Sequence, residues 1–150
     1  HYLNAVTCKN LVQGQCIAHH RGLDFGHTRL FLPVFRVSAF APICTTLHSP
    51  WGRKALGHYL GQDTSTWHDY DACEVARNFN GSSPYDKILV DQGADDPYLD
   101  EQLQPTRLQR ACAESNLPLE LRVHDGYDHG YYFISTFIEE HLRHHAERLG

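Results

Sequence analysis

The stretch YDKILVDQGADDPYLDEQLQP, residues 85–105, decides the fold class. Its KILV segment at 87–90 is a short β-type run without alternation, the pattern of a strand covered on both faces. The run stops in an acidic, glycine-containing loop, and a helical pattern follows. In YLDEQLQPTRLQRACAESNLP, residues 98–118, Leu99, Leu103, Leu108 and Cys112 fall near one helix face, with Asn116 and Pro118 as the stop.

The same alternation extends in both directions. Upstream, VSAFAPI at 37–43 reads as a buried strand ended by Pro42. SPWGRKALGHYLG at 49–61 places a Pro and a Gly before a short helical stretch. TSTWHDYDACEVARNF at 64–79 reads as a turn into a helix, with Ser65 or Thr66 as caps and Asp69 and Asp71 early in it. Downstream, LELRV at 119–123 begins a strand, Leu119, Leu121 and Val123 alternating with Glu120, Arg122 and His124. YYFISTFIEEHLRHHAERL at 131–149 predicts a helix with Ile134, Phe137, Ile138, Leu142 and Leu149 along an apolar face. Strands alternating with helices of this length imply a parallel sheet built by crossover connections, an α/β class.

The remaining sequence is less orderly. Residues 1–36 show no persistent period and hold four basic residues against one acid, whereas residues 37–150 hold nine basic and 17 acidic residues. The chain has 150 residues with a formal net charge of -5. That acidic balance argues against a nucleic-acid surface, and no apolar run approaches the roughly 18–20 residues that cross a bilayer. His1 stands where a starting Met would, so the sequence reads as an excerpt of something longer. The expected division is therefore an unassigned segment, 1–36, followed by an organised unit, 37–150.

Cysteine and histidine usage narrows the chemistry. Cys8, Cys16, Cys44, Cys73 and Cys112 are odd in number, widely spaced and without a CxxC pair, which favours a reducing compartment over a disulfide framework or zinc knuckle. The twelve histidines raise the question of a metal site. His19 and His20 are adjacent and point apart, whereas His141, His144 and His145 have helical spacing but no matching carboxylate or Cys. A solvated, His-rich helix end is the expectation there, and neither metal nor cofactor is implied.

In parallel sheets, functional groups collect in loops just past the carboxyl ends of strands. Two loops qualify. DQGADDPYLD places Asp91, Asp95, Asp96 and Asp100 within ten residues. HDGYDHGYYF places His129 immediately before the last helix. An aspartate in the first loop and a histidine in the next is the arrangement in which a carboxylate orients an imidazole as general base. Helix capping by Asp95 or Asp96 and a turn role for His129 explain the same spacing equally well.

The segments SAFAPIC, PWGRKALGHYLG, DQGADDPYLDEQLQP and GYDHGYYFISTFIEEHLRHHAERL resemble the C-terminal part of the S-formylglutathione hydrolase (esterase D) family of α/β-hydrolases, from about residue 37 to the end. The resemblance implies the C-terminal portion of an α/β-hydrolase fold with an incomplete sheet, in a cytoplasmic enzyme. It implies serine-hydrolase cleavage of S-formylglutathione to glutathione and formate, with esters of small acids also accepted. It assigns the triad acid to Asp96 and the triad histidine to His129, with Gly130 where the family usually has Ser. The family's nucleophile lies in GHSMGGHGAL, which has no counterpart here. GHT at 26–28 is followed by Arg29 and Leu30 rather than the small residues a strained elbow needs. Ser38, Ser49, Ser65, Ser82, Ser83, Ser115 and Ser135 lie outside any G-x-S-x-G. The partner expected is a small thioester or ester. A non-catalytic fragment or binding module is the competing reading, and the strand that begins the sheet would present an edge open to a partner chain or a further copy.

Overall fold

The computed structural model describes residues 36–80, 83 and 86–147. Thr28, Cys8, Cys16, His19, His20, Ser82 and Leu149, and nearly all of the 1–36 segment, lie outside the described residues.

Three strands form a parallel sheet in the order β1-β2-β3: β1 (Arg36–Phe40), β2 (Lys87–Gly93) and β3 (Leu119–His124). Phe40 pairs with Asp91 and Asp91 with Arg122, so the carboxyl ends of the strands lie level. Between them run α1 (Pro50–Tyr59), a 3₁₀ helix (Thr64–Tyr70), α2 (Ala72–Arg77), a π-helical turn (Leu99–Leu103) and α3 (Pro105–Glu114), and α4 (Tyr131–Ala146) follows β3.

The sheet has a different kind of cover on each face. On one, Ala39, Ile88 and Val90 meet Ala72, Cys73 and Ala76 of α2 and Leu108, Ala111 and Cys112 of α3, an apolar core completed by Leu119 and Leu121. Small residues on both helices let them pack close to the sheet and to one another. On the other face lies α4. At the carboxyl ends of the strands a second cluster, Ala41, Ile43, Leu103 and Phe133, supports the loops above it, with Phe40, Trp51 and Tyr127 packed around it. Among the described residues no helix is long and apolar enough to cross a membrane.

Several local expectations need correction. The caps in residues 63–79 are aspartates: Asp63 accepts from Ser65 N–H ahead of the 3₁₀ helix, and Asp71 accepts from Glu74 N–H ahead of α2. Asp71 is fully buried and also receives the Thr45 hydroxyl at 2.7 Å and the Leu47 N–H at 2.9 Å, so one side chain caps a helix and ties down the loop after β1. The helical pattern read through 98–118 is two elements. Gln104, at a left-handed φ of 51°, separates the π-helical turn from α3, and Leu103 joins the loop cluster whereas Leu108 and Cys112 join the main core. Asn116 does end α3 with a positive φ, 55°.

The largest correction concerns α4. Its buried stripe is Phe133, His141 and His144, with Ile134 and Phe137 partly covered as expected, whereas Ile138 and Leu142 are exposed. The expected solvated histidine end is therefore packed against the sheet. His141 Nε2 lies 3.1 Å from Asp91 Oδ2, His144 Nε2 3.2 Å from the Val37 carbonyl and His145 Nε2 3.0 Å from Ser38 Oγ.

Candidate active site

The two loops singled out by their position after strands meet at the top of the sheet. Gly93 makes this approach possible, because a Cβ there would lie 2.2 Å from the Tyr127 carbonyl oxygen. With no side chain in the way, Ala94 N–H donates to His124 O at 2.9 Å and Asp95 N–H to Tyr127 O at 3.0 Å, stitching the loops together by backbone alone. Gly126, at φ 78°, supplies the turn that carries the second loop back over β2.

Within this frame Asp96 and His129 are brought together, with Asp96 Oδ2 2.7 Å from His129 Nδ1. The Asp96 side chain is fully buried, whereas the His129 side chain is one-third exposed at 33%. Asp96 Oδ1 accepts the Tyr98 N–H at 2.9 Å, so the turn-forming use of this aspartate and its histidine contact coexist, one on each oxygen. Oδ2 also receives Gln92 Nε2 at 3.0 Å. Asp95 and Asp100 are exposed and take no part in this pairing.

Aromatic rings fix the histidine from the side. Tyr98 meets His129 edge-on at 5.4 Å, and Trp51 lies against Tyr98 at 4.7 Å. Gln102, on the π-helical turn, accepts the Trp51 N–H at 3.0 Å and so anchors the start of α1 to the same loop. Gly130 N–H donates to Asp128 Oδ1 at 2.8 Å, closing the turn before α4. A Cβ at position 130 would press on that same carboxylate oxygen at 2.7 Å, a flexible neighbour that can move aside. Gly130 has an ordinary extended backbone, φ -91°.

Asp91, the first acid of the motif, does separate work below the loops. It is fully buried and receives Arg122 Nε at 2.6 Å and Nη2 at 2.5 Å, a two-pronged pair across adjacent strands, while Arg122 Nη1 reaches Glu140 of α4. His124 Nε2 adds a contact at 3.3 Å. Burial alone would raise the Asp91 carboxyl, but the His141 and Arg122 hydrogen bonds and the His124 contact outweigh it and hold it well below the usual carboxylate range. The same pair raises the Arg122 guanidinium above its ordinary value. The four close carboxylates of the sequence are thus tolerated because the buried ones have donors and the others face water.

Sequence reasoning singled out Asp96 and His129 but missed Gln92, Tyr98 and the Arg122 pair. Only the register of the strands places Arg122 opposite Asp91. Five of the described serines have identified partners: Ser38 with His145 of α4, and, within their own turns or helices, Ser49 with Gly52 N–H, Ser65 with Asp63, Ser115 with Ala111 O and Ser135 with Tyr132 O. Among the described residues no group of three or more His, Cys, Asp or Glu is arranged to hold a metal ion.

Comparison with known proteins bears on the family and the fold. A family model described as "Putative esterase" matches residues 33–144. An S-formylglutathione hydrolase of Arabidopsis thaliana is 42% identical over 143 residues, 95% of this chain and 49% of that protein. One from Rattus norvegicus is 50% identical over 114 residues, covering 75% of this chain and 40% of the relative. The Arabidopsis match takes in most of the first 36 residues, whereas the rat match does not cover the whole chain. A solved S-formylglutathione hydrolase from Agrobacterium tumefaciens superposes with a TM-score of 0.69 at 45% identity, over 75% of this chain and 40% of that structure. The chain thus spans less than half the length of these relatives, and its sheet is a C-terminal portion of the α/β-hydrolase fold. With the family model covering all three strands and most of α4, the chain belongs to this esterase family.

Proposed function

We propose that the chain carries the acid and the base of a serine-hydrolase triad that cleaves small thioesters and esters, S-formylglutathione foremost. The observation that carries this reading is the 2.7 Å contact between Asp96 Oδ2 and His129 Nδ1, made by a buried carboxylate to a partly exposed imidazole. With Nδ1 engaged, Nε2 is the ring nitrogen left for proton transfer. His129 Nε2 takes the proton of the attacking hydroxyl, and Asp96 stabilises the imidazolium that forms. The proton then passes to the departing glutathione sulfur, and a water activated by the same nitrogen releases formate. The nucleophile in this reading is a serine in a G-x-S-x-G elbow, a motif that does not occur in these 150 residues. Residues 37–150 are the unit proposed to act in this way.

A cytoplasmic setting is part of the same reading. It is supported by Cys73 and Cys112, both buried and neither in a disulfide among the described residues. Burial pushes the Cys73 thiol up to about 12 and that of Cys112 to about 11, so neither serves as a thiolate nucleophile.

The test is a chimera in which residues 37–150 replace the corresponding part of the Arabidopsis relative. It is expected to hydrolyse S-formylglutathione and to lose that activity by roughly 10⁴- to 10⁶-fold with His129→Ala. A folded chimera whose rate is indifferent to His129→Ala overturns the assignment.

A further inference from the structure

Gln92 is the one fully buried amide on the strand that leads into the site, and its place there is not that of a packing residue. Its Nε2 donates at once to the Gly93 carbonyl at 3.1 Å and to Asp96 Oδ2 at 3.0 Å. Two acceptors on one nitrogen fix which end of the amide faces Asp96. Its Oε1, by contrast, is buried without a hydrogen-bond partner among the described residues. An unsatisfied buried oxygen opposes folding, so a residue kept for packing alone would be better served by an apolar side chain.

The oxygen that receives Gln92 is the one that receives His129. The Asp96 carboxylate can swing about a single rotatable bond, and the Tyr98 N–H on Oδ1 restrains only one of its two oxygens. Gln92 restrains the other. We propose that Gln92 is a positioning residue, which locks the Asp96 carboxylate with Oδ2 facing His129 Nδ1 and so holds the imidazole in the tautomer and orientation that leave Nε2 for catalysis. The inference rests on the proposed acid–base roles of Asp96 and His129, and acts wholly through Asp96.

The experiment follows the His129 Nδ1 proton by NMR in the full 150-residue chain. Asp96→Asn identifies the hydrogen-bonded signal by abolishing it. Gln92→Met keeps the length of the side chain and removes the donor. It is expected to leave the amide spectrum of the sheet in place while the Nδ1 proton exchanges with solvent about tenfold faster or more, the scale set by losing one hydrogen bond to a charged group. Gln92→Glu provides a second variant of the same length should the first not fold. Ionised, it repels Asp96 and speeds the exchange relative to the unchanged chain at the same pH; protonated, it donates as the amide does and restores the slow rate. Unchanged exchange in a folded variant overturns the role of Gln92 while leaving the Asp96–His129 pair intact. A signal indifferent to Asp96→Asn removes the pair itself, and the proposal with it.

Discussion

Replacing Asp96 by Asn keeps the side chain's volume and its oxygen for the Tyr98 N–H, but sets an amide against two donors, Gln92 Nε2 and His129 Nδ1. His129 then turns or changes tautomer, the fault that lowers kcat by about 10⁴ in the serine-protease triad. The same loss of kcat is expected for Asp96→Asn in the active chimera, with KM nearly unchanged. Equal kcat in the two forms would remove Asp96 from the triad. At Gly93 the expected fault is steric. A methyl group would stand 2.2 Å from the Tyr127 oxygen, a backbone atom held by Asp95 N–H, so Gly93→Ala is expected to lower stability by about 1–3 kcal/mol in denaturant unfolding and to part the two loops. Asp96 and His129 were legible because both follow strands and both sit in long motifs. Gln92 was not, since a glutamine ending an apolar strand carries no signal until its amide is seen to reach four residues along the chain.

At the scale of elements, α4 shows why periodicity misled. Of the apolar residues Ile134, Phe137, Ile138 and Leu142, the first two pack on the loop cluster and the last two face water, because the helix docks along Phe133, Phe137, His141 and His144. Histidine counts as polar in a pattern but can be buried when each ring finds a partner, here Asp91 and the Val37 carbonyl. Burial, together with the neighbouring His145, Arg36 and Lys87, holds His144 below its ordinary value near 6.5, and burial with His141 and Arg36 does the same for His145. The unfolded chain therefore binds more protons than the folded one as pH falls below about 6.5, and stability falls with it. Thermal unfolding is expected at a lower temperature near pH 5.5 than near pH 7.5. His144→Gln, which keeps a hydrogen-bonding side chain that does not titrate, should flatten that dependence. An undiminished slope in His144→Gln would assign the effect to other groups.

For the molecule as a whole, the strand order follows the chain order, and that simplicity made the α/β class readable from residues 85–105 alone. β2 lies between β1 and β3 and is buried from Ile88 to Gly93, covered by α2 and α3 on one face and α4 on the other. Its amides bond to neighbours that are themselves paired, so they open only when the sheet opens. Hydrogen exchange is accordingly expected to be slowest at residues 88–92, with α1, whose buried residues are only Gly52 and Leu56, exchanging sooner. Ile88 sits at the far end of β2 from the site and is 1% exposed, so Ile88→Ala is expected to lower stability by about 2–5 kcal/mol. The buried Asp91–Arg122 pair lies between that cavity and the loops, binding β2 to β3 at their carboxyl ends. The His129 Nδ1 proton should therefore keep its protection in Ile88→Ala under native conditions even as the exchange of residues 88–92 accelerates together. If the proton and the strand lose protection in proportion, the loops have no stability apart from the sheet's, and the site is held by global folding rather than by its own hydrogen bonds.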